Sequence, residues 1–307
     1  MQYRLFDAHC DTLLKLYENR AHLYDNPFEV SFKKLLPYRT PAQVFAVFNE
    51  GNLSCADILD HIAYLKTEIL NNAHIAAFAK DAKDLEKNAL QKKISVLVSI
   101  EGLGNTPDLT KEFVPVLYKE GVRIVSLVWN HDNPLCGGIE NNHTGLTKSG
   151  AQILFEMERL GMILDVSHIS ECGFWDALAV FSKKVCATHS NAQSVCPHPR
   201  NLTDRQFQAL CRRGGVAGIN LYPKFLTDTG PATVDHAVSH ITRFLELGGE
   251  NCIGLGADFD GVDATPIDMP NCEFVYRLFD RLAALGFDDA IIDKISYQNF
   301  ANLLQFD

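Results

Sequence analysis

The stretch Leu160-Gly161-Met162-Ile163-Leu164-Asp165-Val166-Ser167-His168 reads as one unit of a repeating pattern. Just upstream, Gly150 to Leu160 carries apolar residues at helical spacing. Gly161 then stops the helix, because glycine adopts a left-handed helix end without a Cβ clash. Met162 to Val166 follows as a short apolar run, the pattern of a strand covered on both faces. His168 lies just beyond it.

The same unit recurs in both directions. Strand-like runs are Leu5 to Cys10, Val44 to Phe48, Ile94 to Ile100, Ile124 to Val128, Met162 to Val166, Val185 to Thr188, Val216 to Asn220 and Ile253 to Ala257. Amphipathic stretches between them include Ile58 to Leu70, Leu109 to Tyr118, Phe174 to Phe181, Arg205 to Cys211 and Val234 to Leu247. Gly121, Gly214-Gly215 and Gly248-Gly249 repeat the stop signal of Gly161. Eight such units in 307 residues predict an α/β fold, a (β/α)8 barrel of the TIM type, as a single domain spanning 1–307. A doubly wound open sheet is the runner-up, but no strand leads into Gly-x-Gly-x-x-Gly. Two longer connections, Tyr17 to Thr40 and Trp129 to Leu146, are expected to shape the open face.

Composition narrows the function. A formal net charge of -10 argues against nucleic acid or an anionic membrane as partner. No basic flank and apolar core of a signal peptide opens the chain, no run reaches a membrane span, and no apolar tail closes it. The nine cysteines are scattered without a Cys-x-x-Cys pair, which reads as reduced thiols in a cytoplasmic protein. The expectation is therefore a cytoplasmic protein with no nucleic-acid or membrane partner.

In a barrel, chemistry sits at the C-terminal ends of the strands. The first strand there supplies His9 and Asp11, the third Glu101, the fifth Asp165 and His168, the sixth His189, and the eighth Asp258 and Asp260. Any one of these alone reads as a helix cap or a satisfied core group. Five together on one rim do not, because burying several unpartnered charges side by side is costly. A divalent cation removes that cost. One zinc needs about four ligands, and three histidines with several carboxylates exceed that number. Two metals about 3.5–4 Å apart, sharing a carboxylate and a hydroxide, fit better. Glu101, on a strand between the two groups, is the natural bridge. Strand alternation puts Asp7, His9 and Asp11 on one face and Phe6, Ala8 and Cys10 on the other.

These residues resemble the membrane (renal) dipeptidase family, zinc peptidases of the metallo-dependent hydrolase type. The resemblance runs from Asp7 to about Asn302 and rests on several motifs in order. They are Asp7-Ala8-His9-Cys10-Asp11, Ser99-Ile100-Glu101-Gly102, Leu164-Asp165-Val166-Ser167-His168-Ile169-Ser170, Thr188-His189-Ser190, Ser194-Val195-Cys196, Arg200-Asn201 and Gly256-Ala257-Asp258-Phe259-Asp260-Gly261-Val262. It implies two Zn2+ ions, His9 and Asp11 on one, His168 and His189 on the other, with Glu101 and a hydroxide bridging. The hydroxide attacks the peptide carbonyl of a dipeptide, and Asp258 orients it and passes its proton to the leaving amine. Arg200 and Tyr222 are expected at the substrate carboxylate. Mammalian members place a histidine after the fourth strand at the reacting carbonyl. Aligning the shared proline puts Trp129 there, with His131 as the nearby candidate to replace it. The family commonly accepts a D-residue at the C-terminal position, and relatives are often dimers, which leaves a homodimer open.

The alternatives are a binuclear hydrolase of the same fold acting on another amide, an N-acyl amino acid or a lactone, and a metal-bound protein that only binds. Asp7 is expected to support the site without ligating. His236 and His240, four apart on a helix, and His198 between prolines are assigned structural roles, and His143 a solvent-exposed one.

Overall fold

A computed structural model of the protein describes residues 2–141 and 143–306; Met1 and Asp307 at the predicted domain's ends, and Asn142 in the Trp129–Leu146 connection, lie outside the described residues. The described residues form nine parallel strands. These are β1 (Leu5–Asp7), β2 (Pro41–Phe48), β3 (Ala76–Phe78), β4 (Ile94–Glu101), β5 (Ile124–Ser126), β6 (Ile163–Asp165), β7 (Val185–Ala187), β8 (Val216–Ile219) and β9 (Ile253–Leu255). Eight of them close a barrel in the order β1-β2-β4-β5-β6-β7-β8-β9, with β9 pairing back to β1. The fold is a (β/α)8 barrel, as the alternation predicts.

All eight sequence-read strands are present, most of them shorter at one end. The ninth, β3, is an addition. Its Ala-Ala-Phe pairs with the first residues of β4, below the point where β5 takes over the same edge at Ser99 and Ile100. Three residues carry too little pattern to be read as a strand.

Two apolar layers hold the barrel. Phe6, Ala8, Val44, Leu97, Ile124, Ile163, Cys186 and Val216, one or two from each barrel strand except β9, pack into a single inner cluster. Tyr297, Phe300, Leu303 and Leu304 of the C-terminal helical segment join it and plug the lumen from the N-terminal end of the strands. Phe45, Val47, Val98, Val125, Leu164 and Ala217 face the surrounding helices instead. The C-terminal ends of the strands are left open and line a cavity.

Gly121, Gly161, Gly214 and Gly248 all take positive φ at helix ends, as expected of stop signals. At Gly121 a Cβ would also come within 2.4 Å of Phe78 of β3, so no larger residue fits there. The helix read over Leu109 to Tyr118 begins later, at Phe113, because turns at Thr106 to Val114 precede it. The connection from Tyr17 to Thr40 is partly helical, with Thr12–Asn19 running into it and Phe32–Leu35 inside it. No helix among the described residues is long and apolar enough to cross a membrane.

Candidate metal centre

The period-two reading of the first strand fails just before the site, with a consequence for it. Phe6 and Ala8 lie in the inner cluster, but Cys10 packs with the outer one and donates to the carbonyl of Val44. The alternation breaks because one oxygen of Asp7 accepts the backbone N–H of His9, two residues on, and that of Ala257. A turn of this kind redirects His9 towards the lumen. Asp7 is fully buried, and burial pushes its pKa up to about 6. It holds the backbone of His9 without touching the imidazole.

Six side chains converge at the barrel mouth. His9 Nε2 lies 3.3 Å from Asp11 Oδ2, 3.5 Å from Glu101 Oε2 and 3.7 Å from Asp258 Oδ1. His168 Nε2 lies 2.9 Å from Glu101 Oε1, and His189 Nε2 3.7 Å from the same oxygen. Glu101 therefore presents one oxygen to His9 and the other to the His168–His189 pair. All six residues are at most 8% exposed.

Protons make the arrangement informative. The Nδ1 of His168 is 2.7 Å from Asn130 Oδ1, and an amide oxygen only accepts, so the proton sits on Nδ1. Thr188 Oγ1 donates its one hydrogen to Asp165 Oδ2 at 2.5 Å and so accepts from His189 Nδ1 at 2.8 Å. Both Nε2 atoms are then bare, yet they face each other across 2.8 Å with a carboxylate oxygen beside them. Burial, with Arg200 nearby, lowers the pKa of His168 to about 4. Burial, with His9 and Arg200 nearby, holds that of His189 well below its usual value. Lone pairs so close together need a cation between them. At His9, burial disfavours the charged ring, but Glu101 and Asp11 outweigh this and raise its pKa well above the usual value. That position, too, draws positive charge.

Two further observations fit a metal. Asp11 Oδ1 is buried and has no hydrogen-bond partner among the described residues. A Cβ on Gly261 would lie 2.1 Å from Asp11 Oδ2 and 2.8 Å from Asp258 Oδ1, so glycine keeps the space beside these carboxylates clear. His168, Asp258 and Asp260 take positive φ values of 69°, 64° and 68°, strain characteristic of functional sites.

Asp258 Oδ2 accepts from Asn220, and burial, reinforced by Asp11 and Glu101 against the opposing pull of His9, pushes its pKa up to about 7. Asp260 turns away: it accepts from Thr12, Lys15 and the amide of Glu29, and so anchors the first helix and the connection behind it. The cluster opens into a cavity of about 410 Å³ lined by Phe48, Trp129, Arg200, Tyr222, Phe225 and Asp263 among others. Arg200 is 6% exposed, its Nε without a hydrogen-bond partner among the described residues and one Nη a long 3.5 Å from the carbonyl of His189.

His131 is not among the residues lining the cavity. It is largely exposed and pairs with Glu140 at 2.9 Å, whereas Trp129 faces the cavity. His240 is fully buried, accepting from the amide of Ala192 and donating to the carbonyl of Leu226, while His236 lies at the start of the same helix beside Thr233. His198 accepts from the amide of Arg200 and packs on Phe225. His143 is exposed. Sequence reasoning missed Asn130, Thr188, Asn220 and Phe48; Asp165 and Thr188 stood inside the quoted motifs, but nothing local marks which atoms they hold.

Comparison with known proteins adds to this geometry. The sequence model described as membrane dipeptidase, peptidase family M19, matches residues 1–305. An uncharacterized Klebsiella pneumoniae protein in the pqqA 5' region is 33% identical over 261 residues, covering 81% of this chain and 96% of that protein. An uncharacterized dipeptidase of Schizosaccharomyces pombe is 31% identical over 76% of this chain, which spans 58% of the yeast protein. A metallo peptidase from Rhodobacter sphaeroides, solved with a phosphinate mimic of the dipeptide L-Ala-D-Ala, has the same fold at a TM-score of 0.90. It is 22% identical, and the match covers 99% of each chain.

Proposed function

The chain belongs to the membrane dipeptidase family, metal-dependent hydrolases of peptide bonds, and from that premise we propose that it cleaves dipeptides at a binuclear zinc centre. His9 and Asp11 would hold one ion and His168 and His189 the other, with Glu101, which turns one oxygen to each group, shared between them. When bound, the metals supply Lewis-acid polarisation of the carbonyl and a water acidic enough to act as nucleophile near neutral pH.

The rest falls to the protein. Asp258, with one oxygen held by Asn220 and the other directed at the cluster, takes the proton of the attacking water and delivers it to the leaving amine. Asn130 and Thr188 hold the two imidazoles in the tautomer that leaves Nε2 free. Arg200 carries the substrate assignment. A buried guanidinium on the wall of the same cavity, with an N–H that has no partner among the described residues, invites an anion, and its fork matches a terminal carboxylate. Tyr222 and Phe225 flank it on that wall, and Trp129 rather than His131 lines the cavity. The dipeptide mimic in the Rhodobacter protein supports a C-terminal D-residue here as well.

The test uses the zinc-reconstituted enzyme with L-L and L-D dipeptides and their C-terminal amides. Arg200→Ala should raise KM for free dipeptides by about 10- to 100-fold, the cost of a lost charged hydrogen bond, and leave the amides nearly unaffected. An equal effect on both would remove the dipeptide assignment and favour an amide or a lactone without a free carboxylate.

A further inference from the structure

The cavity has two unlike sides, and the barrel order sets them apart. Arg200 follows β7, and Tyr222 and Phe225 follow β8; Arg200 lies over the Phe225 ring at 5.5 Å, and Phe225 meets Tyr222 edge-on at 4.8 Å. Around the ring, β7 and β8 stand opposite β2 and β4, and β5 lies next to β4, separated from β7 by β6. On the arc from β2 to β5, Phe48 ends β2 and Trp129 follows β5, with Glu101 of β4 between them. The indole of Trp129 meets the Phe48 ring edge-on at 5.3 Å and approaches the His168 ring at 6.2 Å. Both side chains are only half-buried, so part of this apolar wall stays open to the cavity.

We propose that Trp129 and Phe48 form the subsite for the side chain of the N-terminal residue of the substrate, and that the enzyme prefers dipeptides with a large apolar or aromatic residue there. This rests on the dipeptidase reading and on Arg200 as the anchor of the C-terminal carboxylate. With the carboxylate held at the β7–β8 side and the scissile bond at the metal cluster, the N-terminal residue extends towards β2 and β5. The wall it meets carries no charge on Phe48 or Trp129 to hold a polar side chain. Two aromatic rings at right angles make a surface suited to an aliphatic or aromatic group. Trp129 is thus a specificity-determining residue.

The experiment measures kcat/KM of the zinc-loaded enzyme on two series. In one the N-terminal residue runs through Gly, Ala, Leu and Phe before alanine of either hand; in the other the same set varies at the C-terminal position after alanine. Between the Gly and Phe members of the first series, kcat/KM should rise about tenfold or more, with a smaller spread in the second. Trp129→Ala should collapse the Phe-to-Gly ratio, and Trp129→Phe should keep part of it. Preference carried by the C-terminal residue, or a ratio unchanged in Trp129→Ala, overturns the subsite. If the loaded enzyme hydrolyses no dipeptide of either series, the dipeptidase reading itself falls, and the subsite falls with it.

Discussion

Thr188 has a single hydroxyl hydrogen, and its direction decides what His189 can do. Donated to Asp165 at 2.5 Å, it leaves the oxygen free to accept from Nδ1 and the Nε2 lone pair free for a cation. Thr188→Val keeps the shape and removes both bonds. Zinc affinity, measured by competition with a chromophoric chelator, should fall by about 10- to 100-fold, the usual effect of losing a group that orients a ligand. An unchanged affinity would mean that the ring is held by packing alone. At this scale the sequence was legible where chemistry stood at a strand end, as with His9, Glu101 and His189. It was illegible where orientation depends on a neighbour, as with Asn130 and His168, which are 38 residues apart. His131 stands two positions from Trp129 in sequence, but side-chain direction separates the solvent-facing histidine from the cavity-facing indole.

Among the elements, the helix Thr12–Asn19 and the segment behind it depend on one carboxylate. Asp260 accepts from Thr12, Lys15 and the amide of Glu29, joining the loop after β9 to the first connection. Asp260→Ala leaves those donors unsatisfied and should cost about 2–4 kcal/mol. Hydrogen exchange should accelerate across residues 12–35 before the rest of the barrel; uniform acceleration would count against a local anchor. The helix Val234–Glu246 is docked through His240, whose pKa burial lowers to about 4. A histidine held neutral in the fold contributes stability that is present above its unfolded pKa of about 6.5 and lost as pH falls towards 4. The loss should total roughly 3 kcal/mol at most. Denaturant midpoints compared between pH 7 and 4.5 should fall less in His240→Gln than in the wild type; parallel decline would show that another group controls the acid limb. The pair His236–His240 has metal-like spacing, but only the packing of the helix shows that both His240 nitrogens are already bonded to backbone.

Across the whole molecule, the histidine–carboxylate cluster sits at one end of a lumen closed at the other by Phe300 and Leu304. Six charged or ionisable side chains buried at that mouth repel or desolvate one another without a cation. Zinc at a thousandfold excess over its Kd should therefore stabilise the fold by about 4 kcal/mol. Thermal unfolding of chelator-treated and zinc-restored protein measures this, and identical melting temperatures would speak against resident metal.

The sequence by itself determined the alternation of apolar strand and amphipathic helix, the glycine stops and the placing of histidines and carboxylates at strand ends. Each of these depends on residues close in the chain, where periodicity and backbone sterics act. Tertiary structure alone decided that β2 pairs with β4 while β3 is pushed to the edge, because that choice depends on which edges remain free at closure. It also decided that Asp7 turns His9 inwards through an amide 250 residues away, at Ala257. Most of all, it set the bare nitrogens of His168 and His189 face to face, since that requires β6 and β7 to be neighbours and both tautomers to be held from behind.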